Sequence, residues 1–94
     1  MNPMNKEAIP ILSPELIWRE LDDGTVVVTP EEGNVRVLNR TGTSIWLQIN
    51  GQLSLTEIAD HLVEEFDVSQ EQAVSDVTSF LTDLSQRGLI DLTN

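Results

Sequence analysis

Apolar residues change their period part-way along this chain, and the change divides it in two. Up to Leu38 they come in short β-branched or alternating runs; beyond Gly42 they recur every three or four positions. Leu16 to Leu21 is apolar enough to pair as a strand, and Thr25 to Thr29 (T-V-V-V-T) is β-branched throughout, as suits a central strand. Asn34 to Leu38 sets Val35 and Val37 on one face and Arg36 on the other. Asp23-Gly24 predicts a two-residue type I′ hairpin, whose two central positions need positive φ. Pro30-Glu31-Glu32-Gly33 predicts the next turn, with Pro to start it and Gly to end it. A simple meander then puts Thr25–Thr29 in the middle and leaves the other two strands at the edges.

Three helices follow. The first is expected over Thr43–Ile49, entered through Thr41-Gly42, with Ile45, Trp46 and Ile49 inward and Asn50-Gly51 as its stop. The second opens on a capping box, Ser54 with Glu57, and carries the stripe Leu55, Ile58, Ala59, Leu62, Val63, Phe66. The third has a box of its own, Ser69 with Gln72, and the stripe Ala73, Val77, Phe80, Leu81, Leu84. Gly88 stands where a left-handed C′ residue ends it, after which Leu89-Ile90 is expected to fold back onto the core. The predicted class is α+β: a three-stranded antiparallel sheet followed by three helices, winged-helix-like. Residues 1–14 hold three of the four prolines and no sustained period, which predicts a flexible or extended lead-in to one domain over 15–94.

Charge narrows the partners. Sixteen acids against five bases give −11, and between Gly51 and Asn94 nine acids face Arg87 alone, a local −8. Such a field repels phosphate backbones and attracts cations. Winged-helix architecture is shared by many DNA readers, yet the third helix offers Glu71, Asp76 and Asp83 where Lys and Arg would be needed, so nucleic acid is excluded as a partner. No apolar run approaches the roughly 20 residues of a membrane span. Absent cysteine and the lack of an apolar h-region near Met1 make the cytosol the expected compartment.

Chemistry has little to stand on, and no catalytic role, cofactor or metal is expected. His61, the single histidine, flanks the apolar stripe of the second helix and reads as a surface residue; with Glu65 it offers only two ligands. Asp22-Asp23-Gly24 and Glu31-Glu32-Gly33 lack the alternating acids of a calcium loop. Neither phosphate-cradling glycine motif is present, nor the Asp-Ser-Leu that would hold a carrier protein's prosthetic arm. Trp46 reads as core, and Trp18 as core or a partly exposed contact.

The stretch L38-N-R-T-G-T-S-I-W46, then I58-A-D-H-L62 and E65-F-D-V-S69, then D76-V-T-S-F-L81 and L84-S-Q-R-G-L-I90, resembles the PqqD-like family, also called RiPP recognition elements. The L21-D-D-G24 hairpin is similar to the stand-alone recognition proteins of lasso-peptide pathways. The resemblance implies that the leader of a ribosomal precursor peptide adds as a fourth strand to Asn34–Leu38 and lies beside Gln70–Arg87. It also implies partner enzymes: a leader peptidase and a macrolactam-forming synthetase in lasso pathways, or a radical-SAM enzyme in cofactor pathways. The peptide-binding residues expected on this basis are Asn34, Val35, Arg36, Val37 and Leu38 on the strand, with Asp76, Val77, Phe80, Leu81, Asp83 and Leu84 on the helix. Val77, Phe80, Leu81 and Leu84 are either the floor for an apolar anchor or plain core. Asp76 and Asp83, seven apart on one face, either pair with a guest cation or are solvated charge; Arg36 meets an acidic guest residue or nothing. The alternative reading is an acidic winged-helix adaptor for a basic protein partner.

Overall fold

The computed structural model describes residues 6–29 and 33–93, in the order β1 (Ile9–Leu12), β2 (Ile17–Leu21), β3 (Gly24–Thr29), β4 (Asn34–Leu38), α1 (Arg40–Leu47), α2 (Leu55–Phe66), α3 (Gln70–Gln86) and β5 (Ile90–Thr93). β2, β3 and β4 form the expected antiparallel meander with β3 in the middle. Trp18, Val27 and Arg36 stand abreast on the face turned to the helices, whereas Ile17, Val28 and Val35 stand abreast on the other. Val27, Thr25 and Leu38 are buried beneath α1, α2 and α3 together with Ile45, Trp46, Leu55, Ile58, Leu62, Val77, Leu81 and Leu84. A buried hydrogen bond from Thr25 Oγ1 to Thr43 Oγ1, 3.0 Å, ties β3 to α1. Trp46 is core, and Trp18, 40% exposed, meets it edge-on with ring centroids 5.9 Å apart.

Several sequence-based expectations are corrected. Leu21 pairs with Gly24, so the hairpin turns through Asp22-Asp23, and neither residue has positive φ. The turn is therefore not type I′. Gly24 is needed for a different reason: a Cβ there would stand 2.2 Å from Leu38 O, inside the neighbouring strand's backbone. The first helix begins at Arg40 rather than Thr43, because Asn39 is its cap and accepts from Gly42 N at 2.8 Å. Gly42 is thus helical, not part of the entry. The box on α2 is complete, but on α3 only Ser69 accepts, from Gln72 N at 3.1 Å, while the Gln72 amide donates to Asp76. Pro30, Glu31 and Glu32 of the second predicted turn lie outside the described residues; Gly33 has the positive φ expected of its last position.

The lead-in is also corrected over residues 9–12. β1 pairs antiparallel with β5, Ile9 with Thr93 through Leu12 with Ile90. Just before it, Ala8 O accepts from Leu55 N and Lys6 O accepts from Thr56 N, satisfying two of the orphan donors at the start of α2. At the other end of the core, Gly88 N and Leu89 N return to Ser85 O and Leu84 O, a Schellman stop that turns Leu89 and Ile90 inward.

Candidate functional site

An open groove runs between β4 and α3. β4 has β3 on one side, and among the described residues no strand pairs with its other side. Its alternation sends Leu38 and Arg36 toward the groove and leaves Val35 and Val37, 65% and 73% exposed, facing away from the helices. On the other wall, the α3 turns that carry Asp76, Ser79, Phe80 and Asp83 face the same space.

The wider part of the groove has a volume of about 660 Å³, with Leu38, Ile45 and Phe80 as apolar walls and Asp76 and Asp83 at the rim. Gly42 lets the walls close together: a Cβ there would sit 3.4 Å from Phe80 Cε1 and 3.2 Å from Asn39 Oδ1. Arg36 Nη2 reaches across and donates to Asp83 Oδ2, while Arg87 Nε donates to Asp83 Oδ1 at 3.0 Å. One carboxylate therefore collects two guanidiniums. Asp76 accepts from Gln72 Nε2 at 2.8 Å, an i,i+4 contact on the helix surface. Past the Arg36–Asp83 crossing lies a second recess of about 420 Å³, bounded by Val27, Asn34, Gln86, Arg87 and Leu89.

Among the residues singled out from the sequence, Leu38, Arg36, Asp76, Phe80 and Asp83 come together in this groove. Val77, Leu81 and Leu84 do not: they are wholly buried in the core, which corrects their reading as a floor open to a guest. Arg36 is not left without a partner: it meets Asp83 of its own chain. Sequence reasoning missed Gly42, Ile45 and Arg87. Arg87 carried a signal as the lone base among nine acids after Gly51, but it entered only the charge balance. His61 lies elsewhere, exposed, with Nδ1 2.6 Å from Gln48 Oε1, and Glu65 accepts from Ser44 rather than joining it. Among the described residues no group of three His, Cys, Asp or Glu is arranged to hold a metal.

Residues 24–90 match the family model described as coenzyme PQQ synthesis protein D, PqqD. This chain belongs to the PqqD family. The matched segment runs from the start of β3 to the start of β5 and so contains β4, α3 and the whole groove. Solved structures share the fold. A lasso peptide synthetase B1 complexed with a leader peptide is 25% identical, with a TM-score of 0.79 over 88% of this chain and 98% of that one. TbiB1 in complex with the TbiA(beta) leader peptide is 23% identical, with the same TM-score over 86% and 94%. The PqqD truncation of Methylobacterium extorquens PqqCD, a RiPP recognition element, is 19% identical, with a TM-score of 0.72 over 87% of each chain. No curated protein matches the sequence. Within this PqqD-family chain no described helix is long and apolar enough to cross a membrane.

Proposed function

We propose that this chain is a non-catalytic recognition element that captures the leader of a ribosomally synthesised precursor peptide and presents it to processing enzymes. The observation that carries the reading is the β4 edge beside an apolar groove on α3, in a PqqD-family chain whose fold is that of a lasso peptide synthetase B1 solved with its leader. A disordered leader added to β4 gains backbone hydrogen bonds that tolerate sequence, and alternate side chains that enter the groove supply selectivity. Ordering the leader costs about 2–5 kcal/mol. An apolar side chain seated between Leu38, Ile45 and Phe80 offsets that cost.

The favoured partners are the leader peptidase and macrolactam-forming synthetase of a lasso pathway; the other setting is a radical-SAM enzyme of a PQQ-type pathway. The complex works in the cytosol without a cofactor. Calorimetry against the leader of the precursor encoded beside this gene tests the proposal. It predicts micromolar or tighter binding, and an intact leader by mass spectrometry after long incubation with this protein alone. No heat at saturating leader, or cleavage by the pure protein, overturns it.

A further inference from the structure

The second recess differs in charge from the rest of the molecule. The chain has five basic residues in all, and two of them, Arg36 and Arg87, line this one space of about 420 Å³. Among the described residues none of its lining groups is a carboxylate. Its floor is apolar, from Val27 and Leu89, and its remaining walls include the amide side chains of Asn34 and Gln86. Asp83 does not cancel the two cations. It occupies one nitrogen of each guanidinium, Nη2 of Arg36 and Nε of Arg87, so the three side chains together keep a net charge of +1. A guanidinium has five N–H donors in a fixed fork, and those not spent on Asp83 suit a planar carboxylate. On a chain of net charge −11, a small cationic recess at the foot of the groove is a local reversal of sign.

We infer that this recess is an anion subsite, which takes the carboxylate of an Asp or Glu side chain of the bound peptide. The inference rests on the strand-addition reading and deepens it. A guest strand beside β4 turns every second side chain into the groove. The inward positions level with Leu38 and with Asn34 are then four residues apart, with the position level with Arg36 between them. An apolar residue thus enters the wider compartment against Phe80, and an acidic residue an even number of positions away, two or four, reaches Arg36 and Arg87. The two compartments together read one chain direction, because a reversed strand would bring its acid to Asp76 and its apolar side chain to the arginines.

A random linear-peptide display library, selected on the folded full-length protein and on the variants Arg36→Gln, Arg87→Gln and Arg87→Glu, tests this. The expected consensus pairs an apolar residue with an acid at even spacing. Synthetic peptides made from it lose affinity about threefold to tenfold when the acid becomes its amide, and that loss disappears in Arg87→Gln and Arg36→Gln. Selection on Arg87→Glu replaces the acid with Lys or Arg while the apolar position is kept. Binders without an acidic preference, or with one indifferent to both arginines, overturn the subsite and leave strand addition standing. No enriched peptide at all overturns the subsite together with the reading beneath it. Circular dichroism of each variant confirms that it is folded, and the amide-for-acid comparison within wild type needs no variant.

Discussion

Gly24 shows how one residue answers to its surroundings rather than to its own dihedrals. Its φ is not positive, yet a methyl group at this position would stand 2.2 Å from Leu38 O, an atom of the adjoining strand that cannot swing away. Gly24→Ala must therefore push β3 from β4 near the mouth of the groove. The expected loss is about 1–3 kcal/mol in a urea melt, the usual range for an overpacked site. An alanine variant as stable as the parent would show that the strands separate freely there. The sequence made Gly24 conspicuous but supplied the wrong reason, because Asp-Gly is a turn signal and interstrand crowding leaves no mark on sequence. Arg36 and Asp83 are a similar case. They are 47 positions apart, each alone looks like a solvated charge, and only the packing of β4 on α3 makes them partners.

Elements were legible where their signals are local. The α2 cap at Ser54, the complete box with Glu57 and the stop at Gly88 all stand where period and capping residues place them, since each depends on residues within one turn. β1 was not legible. Four residues carrying a proline have no readable period, and their pairing partner lies some eighty positions away at the other end of the chain. The pairing matters for stability, because the segment ahead of β1 also supplies Ala8 O and Lys6 O to the amides that start α2. Deleting residues 1–12 is expected to cost at least about 3 kcal/mol, from lost hydrogen bonds at about 1 kcal/mol each and the exposure of Ile90. Thermal melting of the truncated chain measures this, and an unchanged midpoint would contradict it. At β4 the expectation concerns amides. Of Val35, Arg36, Val37 and Leu38, the alternate N–H groups directed away from β3 gain protection from hydrogen exchange when a leader binds. Uniform exchange with and without saturating leader would rule out strand addition even if the leader binds.

At the scale of the whole molecule, charge decides what approaches. The helical half carries −8, and its bases reduce to Arg87, which is already engaged with Asp83. Duplex DNA should not bind at low salt, where attraction to a basic protein would be strongest. A gel-shift titration checks this, and a salt-sensitive complex would reverse the exclusion. The outer face of the sheet adds a second whole-molecule feature: Ile17, Val35 and Val37 are each more than 60% exposed on one surface. Alternation in Asn34–Leu38 placed the two valines together, but which face the helices would cover was not in the pattern.

Period and capping residues determined the three-stranded meander, the three helices that follow it, their order, and the side chains able to form a core, because those quantities depend on neighbours within a few positions; the β1–β5 pair, which joins the two ends of the described chain, was not among them. Tertiary structure alone decided which of the two sheet edges borders the groove, that Val77, Leu81 and Leu84 are sealed beneath the groove while Phe80 lines it, and that two of five basic residues meet around Asp83. These are relations between segments brought together by burial of a common apolar face. Burial is indifferent to the order in which the chain supplies its parts.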